Sequence, residues 1–183
     1  MGSTVRHEKN LVWLDLEMTG LDPERHTILE IATIVTDSDL NVLAEGPCLP
    51  VRHPEKTLSS MDPWCLEHHG GSGLIQRVRG SGVAMAAAEE RTLRFVQEWC
   101  LPRASPLCGN TIGQDRRFLL KYMPRLHDFF HYRSIDVSTL KELVLRWYPP
   151  ESHFPQKPEK HEALEDVRDS LRELAFYRKT VFR

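Results

Sequence analysis

The chain has 183 residues and a mass of 21.2 kDa, with 40% hydrophobic and 27% charged residues, a profile that fits one globular domain and excludes collagen-like or largely disordered chains. No apolar run approaches the ~20 residues of a membrane span, and the first residues, MGSTVRHEKN, lack the apolar stretch of a secretory leader. The 24 Lys and Arg against 26 Asp and Glu leave a net charge of −2, which argues against a basic groove for long nucleic acid; any nucleic-acid footprint is expected to be short.

Asn10–Leu16 (NLVWLDL) is almost continuously apolar and predicts a strand buried on both faces. Gly20, Asp22 and Pro23 punctuate it. Thr27–Thr36 (TILEIATIVT) is β-branched and alternating and predicts a second strand; Asp37–Asn41 predicts a turn and Val42–Val51 a third strand, an early β-meander. Between Pro54 and Gly82 the chain is rich in Gly, Pro, Ser and His without a clean period, which predicts loops with short helices. Met85–Leu101 sets Met85, Ala88, Leu93, Val96, Trp99 and Cys100 at helical spacing and stops at Pro102. Leu107–Gly109 predicts a short strand, Gln114–Met123 a helix ending before Pro124, Ile135–Val137 another short strand and Ser138–Trp147 a helix. Pro149, Pro150, Pro155 and Pro158 make Tyr148–Lys160 a loop, and a helix over Glu162–Lys179 carries Leu164, Val167, Leu171, Leu174 and Ala175 on one stripe. This order predicts a single α/β domain with a mixed sheet over residues 10–180, after an N-terminal tail of residues 1–9. Cys48, Cys65, Cys100 and Cys108 form no CxxC pair, so zinc-ligand spacing is absent and a reducing, cytoplasmic compartment is expected.

Several acids stand out against this frame. Asp15 and Glu17 lie two apart at the end of an apolar strand, so both carboxylates point to one face. Like charges at a core's edge call for a hard divalent cation between them, unless the pair simply sits in a solvated strand-to-turn connection. Asp115 shares the helical stripe of Phe118, Leu119 and Tyr122, although an acid also suits a helix's first turn through the macrodipole. Asp166 falls roughly 120° from the centre of the Leu164/Val167/Leu171 stripe, where spacing alone reads it as a surface acid. His161 stands at the junction of the Pro-rich loop and the last helix, a place where a histidine is commonly just a surface residue.

Taken together, DLEMTGLD at Asp15–Asp22, GNTIGQDRRFL at Gly109–Leu119, HYRSIDVSTLKEL at His131–Leu143 and HEALEDVRDS at His161–Ser170 resemble, in order, the motifs of the DEDDh exonuclease superfamily, specifically the oligoribonucleases. The resemblance implies a ribonuclease H-like fold, a mixed β-sheet flanked by α-helices. It implies 3′→5′ hydrolysis of short RNA, especially 5′-phosphorylated diribonucleotides, to nucleoside monophosphates. By the same resemblance Asp15, Glu17, Asp115 and Asp166 hold two Mg²⁺ or Mn²⁺ ions, and His161 is the general base, a role that suits an imidazole near neutral pH. Leu21 and Trp64 match a pair that wedges the two bases, and His69 matches a substrate contact. Thr111, Arg133, Ser138 and Thr139 match a cluster that caps the 5′ phosphate and blocks longer chains; the family's usual residue at Thr111 is serine. Tyr132 matches a residue entering the site from the second subunit of a homodimer. Two other readings compete, a DEDDh exonuclease of longer substrates and a catalytically silent nucleotide-binding module on the same fold. Retention of all four acids and His161 argues against the second.

Overall fold

A computed structural model of the chain describes residues 6–155 and 162–182. Its centre is strand β1 (Leu11–Met18), whose side chains alternate between two cores. Val12, Leu14 and Leu16 face one core, and Trp13 faces the other. Asp15 and Glu17 therefore belong to the Trp13 face, as their spacing predicts.

Strand β2 (Ile28–Thr36) pairs antiparallel with β1 and is buried along its whole length, not on alternate residues as its pattern predicts. The difference arises because helices cover both faces, and two of its polar side chains are paired inside. Thr36 Oγ1 accepts from Trp13 Nε1 at 3.1 Å, and Glu30 is gripped by Arg77. The predicted third strand divides into β3 (Val42–Glu45) and β4 (Leu49–Pro50), which pair with different stretches of the β2 edge. Gly46 and Pro47 make the break. A Cβ on Gly46 would lie 2.4 Å from Thr33 Oγ1 and 2.5 Å from the Phe95 ring, and proline cannot donate to a ladder.

Helices α1 (Glu55–Ser59), α2 (Pro63–Gly71) and α3 (Leu74–Gly80) occupy the stretch expected to be mostly loop. They form a small core of their own, with Leu58, Met61, Cys65, Leu74, Ile75 and Val78 closing over Leu29 of β2. Helix α4 (Met85–Trp99) follows its periodicity and packs with α5 (Ile112–Tyr122) and α6 (Pro124–Phe129) on the Leu14 face. Helix α5 ends at Tyr122, before Pro124 as expected, and Pro124 then opens α6, where its missing N–H costs nothing.

Strands β5 (Leu107–Gly109) and β6 (Ser134–Asp136) continue the sheet in parallel, giving the order β3-β2-β1-β5-β6 with β4 also on β2. Helices α7 (Val137–Trp147) and α8 (Ala163–Thr180) cover the Trp13 face, and a short 3₁₀ turn at Pro150–Ser152 lies between them. No helix among the described residues is long and apolar enough to cross a membrane.

Candidate active site

The site lies where the C-terminal half of β1 meets the first turn of α8. Period-two geometry turns Asp15 and Glu17 toward α8, and that helix presents Asp166 to them. Carboxylate oxygens of Asp15, Glu17 and Asp166 lie within 4.8 Å of one another. Asp166 is thus part of the cluster and not the surface acid its helical spacing suggests. The buried stripe of α8 runs through Ala163, Val167, Ser170, Leu171, Glu173 and Tyr177, so it is centred roughly 80° from the apolar stripe of Leu164, Val167 and Leu171. Buried polar residues at Ser170 and Glu173 displace the inward face. They bond the Asn110 amide at 3.0 and 3.2 Å, and Glu173 also accepts from the Tyr177 hydroxyl at 2.8 Å.

Asp115 approaches from α5 and is only 5% exposed. Strand β5 pairs with β1 only at Val12 and Trp13, which leaves later N–H groups of that edge without a strand. The Asp115 carboxylate takes the place of the missing strand, accepting from Leu16 N at 2.9 Å.

The electrostatics are those of buried carboxylates crowded together. Burial pushes the Asp15 carboxyl well above its ordinary value, and Asp115, Glu17, Asp166 and Glu30 push it further. Glu17 is pushed up to about 8, by burial first and then by Asp166, Glu30 and Asp115, with Arg77 opposing. Asp115 is pushed up to about 7 by burial, against the backbone N–H groups that favour its charged form. An all-oxygen set of clustered carboxylates that resist ionising alone fits a hard divalent cation.

The surrounding loops are tied to the same strand end. Gly20, at φ 154°, lets the chain turn under the His26 ring, which a Cβ there would approach to 2.4 Å. The turn is fixed to α5 by Gln114, which donates to the Leu21 carbonyl, and by Tyr122, whose hydroxyl donates to His26 O at 2.5 Å. Leu21 projects from it, exposed. Asp62 caps α2 by accepting from Trp64 N at 3.0 Å, while its own N–H donates to Thr19 O at 2.9 Å. Trp64 is 53% exposed and stacks on the His68 ring at 3.8 Å. His69 is buried, with Nε2 2.8 Å from Met18 O and Nδ1 3.8 Å from Glu17 Oε2.

A second polar group forms at the ends of β5 and β6. Thr111 adopts the left-handed region at φ 51°, unusual for a β-branched residue and costing roughly 1–3 kcal/mol. Its N–H donates to Asp136 Oδ1 at 3.0 Å and Ser138 Oγ at 3.1 Å, and its hydroxyl lies 3.4 Å from Ser138 Oγ. Asp136 also caps α7 through Ser138 N at 3.0 Å. Thr139 is exposed beside Ser138 in the first turn of α7. Arg133 is exposed just before β6, its guanidinium 5.2 Å from the centre of the exposed Tyr132 ring. Asp136 was not singled out by sequence, although an acid two residues before Ser138 carries the signal of a helix cap. His161 lies outside the described residues.

The RNase_T family model, described as an exonuclease, matches residues 12–174. An oligoribonuclease of Vibrio vulnificus is 55% identical over 176 residues, 96% of this chain and 97% of that protein. One of Pseudomonas aeruginosa is 56% identical over 174 residues, 95% of this chain and 97% of that protein. Among solved structures, Exonuclease I from Methylocaldum szegediense aligns with a TM-score of 0.72 at 20% identity, covering 94% of this chain and 41% of that one. E. coli Exonuclease I gives 0.73 at 18% identity, with coverage of 94% and 41%. These distant likenesses speak for the ribonuclease H-like fold alone, and the chain spans less than half the length of either neighbour. With matches of this extent and an acidic cluster at the end of its central strand, the chain belongs to the oligoribonuclease family of exonucleases.

Proposed function

We propose that this enzyme hydrolyses short RNA from the 3′ end in the cytoplasm, acting above all on 5′-phosphorylated diribonucleotides and releasing nucleoside monophosphates. The observation that carries the reading is the meeting of Asp15, Glu17 and Asp166 within 4.8 Å, from elements far apart in sequence, in a chain more than half identical to oligoribonucleases. Asp15, Glu17, Asp166 and, from the far side, Asp115 would hold two Mg²⁺ or Mn²⁺ ions. When bound, such cations supply positive charge that stabilises both the entering and the departing oxygen of an in-line displacement at phosphorus.

The chain's own residues do the rest. His161 takes the proton from the attacking water, as an imidazole near neutral pH can. Leu21 and Trp64, exposed beside the strand end, wedge and stack the two bases without reading their identity. His69, held between Met18 O and Glu17, sets the substrate's approach to the acids. Arg133, Thr111, Ser138 and Thr139 cap the 5′ phosphate, the guanidinium supplying charge and the hydroxyls directed donors. Tyr132, 73% exposed, reaches into the site of a second copy in a homodimer; a fully active monomer in sedimentation would refute that part.

Mg²⁺-dependent digestion of 5′-phosphorylated RNAs of two to ten nucleotides tests the substrate class. A kcat/KM for dinucleotides at least tenfold above that for seven-mers is expected. A flat profile with length would overturn the capped site in favour of an exonuclease of longer chains.

A further inference from the structure

Glu30 lies in the middle of β2, 1% exposed and directly opposite Glu17 in the β1–β2 register. A further buried carboxylate across one strand spacing from an acidic cluster is repulsive unless neutralised. Arg77 of α3 neutralises it through two parallel bonds, Nε to Oε1 and Nη2 to Oε2, both 3.2 Å. The remaining guanidinium arm, Nη1, donates to Ser72 O at 3.2 Å, at the C-terminal end of α2. That helix carries Trp64 and His69, and His69 in turn sits 3.8 Å from Glu17. A single guanidinium therefore joins the residue facing Glu17 to the helix that bears the base-stacking side chain.

We propose that Glu30 and Arg77 are positioning residues that act as one neutral unit, fixing the placement of Glu17 and the net charge its divalent cation meets. The proposal rests on the reading of the acidic cluster as a cation site and adds residues outside that cluster.

Charge balance makes the consequences opposite in sign. Without Glu30 the Arg77 guanidinium is left uncompensated beside the site and repels a cation. Without Arg77 an additional carboxylate faces the site and attracts one. Removing both restores neutrality. A passive brace between β2 and α3 would instead make every variant worse in the same direction, the double variant most of all.

The test is Mn²⁺ binding to the full chain by isothermal titration calorimetry, for the wild type, Glu30→Gln, Arg77→Met, Arg77→Lys and the Glu30→Gln/Arg77→Met double variant. Glu30→Gln is expected to weaken Mn²⁺ binding by about tenfold or more. Arg77→Met is expected to bind as tightly as the wild type or more tightly, with Arg77→Lys and the double variant within about threefold of it. Should Arg77→Met fail to fold, recovery of affinity in the double variant over Glu30→Gln carries the same test. Weakening in all variants, or a Glu30→Gln protein within twofold of the wild type, overturns the proposal while leaving the cation site standing. A wild type that binds no Mn²⁺ overturns both.

Discussion

Glu17 offers the sharpest physical test of the site's electrostatics, through the stability of the chain stripped of metal. Its side chain is nearly buried, and burial together with Asp166, Glu30 and Asp115 pushes its pKa from 4.5 up to about 8. The folded chain then keeps a proton on Glu17 across a range in which the unfolded chain has released it. The unfolded state binds fewer protons there, so raising the pH favours unfolding by about 1.4 kcal/mol per pH unit for this group. The stability is present in full below the unfolded value of 4.5 and is lost progressively as the pH rises to about 8. Glu17→Gln removes the titration and keeps the shape. Urea unfolding in EDTA at roughly pH 5.5 and 7.5 should show the variant gaining on the wild type by on the order of 3 kcal/mol over that interval. Saturating Mg²⁺ should cancel the gain, because the cation competes with the proton for the same oxygens. Parallel pH profiles for the two proteins in EDTA, within about 0.5 kcal/mol, would refute the reasoning.

Other substitutions separate the remaining roles. His161→Ala should lower kcat by roughly 10²–10⁴-fold with Mn²⁺ affinity unchanged, and an undiminished kcat would remove it as the base. Trp64→Ala should cut kcat/KM for dinucleotides about 10- to 100-fold through lost stacking, with little change in unfolding midpoint because the ring is half exposed. Arg133→Ala should bring the rates for 5′-phosphorylated and 5′-hydroxyl dinucleotides together; a preserved preference would move the phosphate cap elsewhere.

How much of this was legible in the sequence follows from how each feature is encoded. The pairing of Asp15 with Glu17 was readable because strand geometry allows two carboxylates at that spacing only one face. Asp115 was half readable, since its helical stripe gave burial but not the Leu16 N–H it serves. Asp166 was misplaced by periodicity because Ser170 and Glu173, polar yet buried, mark the inward face of α8 without adding to an apolar stripe. Only the motif resemblance put it with the others. The α1–α3 region escaped because three helices of nine residues or fewer share one small core over Leu29, too little of each for a period to register. Helix α6 escaped because Pro124 reads equally as a stop or a start. Glu30 was not singled out, although an acid within the apolar run Thr27–Thr36 offered a signal, and its meaning emerged only with Arg77 across from it.

The account stands most directly on crystals of the enzyme soaked in Mn²⁺ and measured for anomalous scattering. Two peaks within coordination distance of Asp15, Glu17, Asp115 and Asp166, both lost in Asp15→Ala, are the predicted result. Mn²⁺ bound elsewhere, with the space among those carboxylates free of anomalous density, would contradict it.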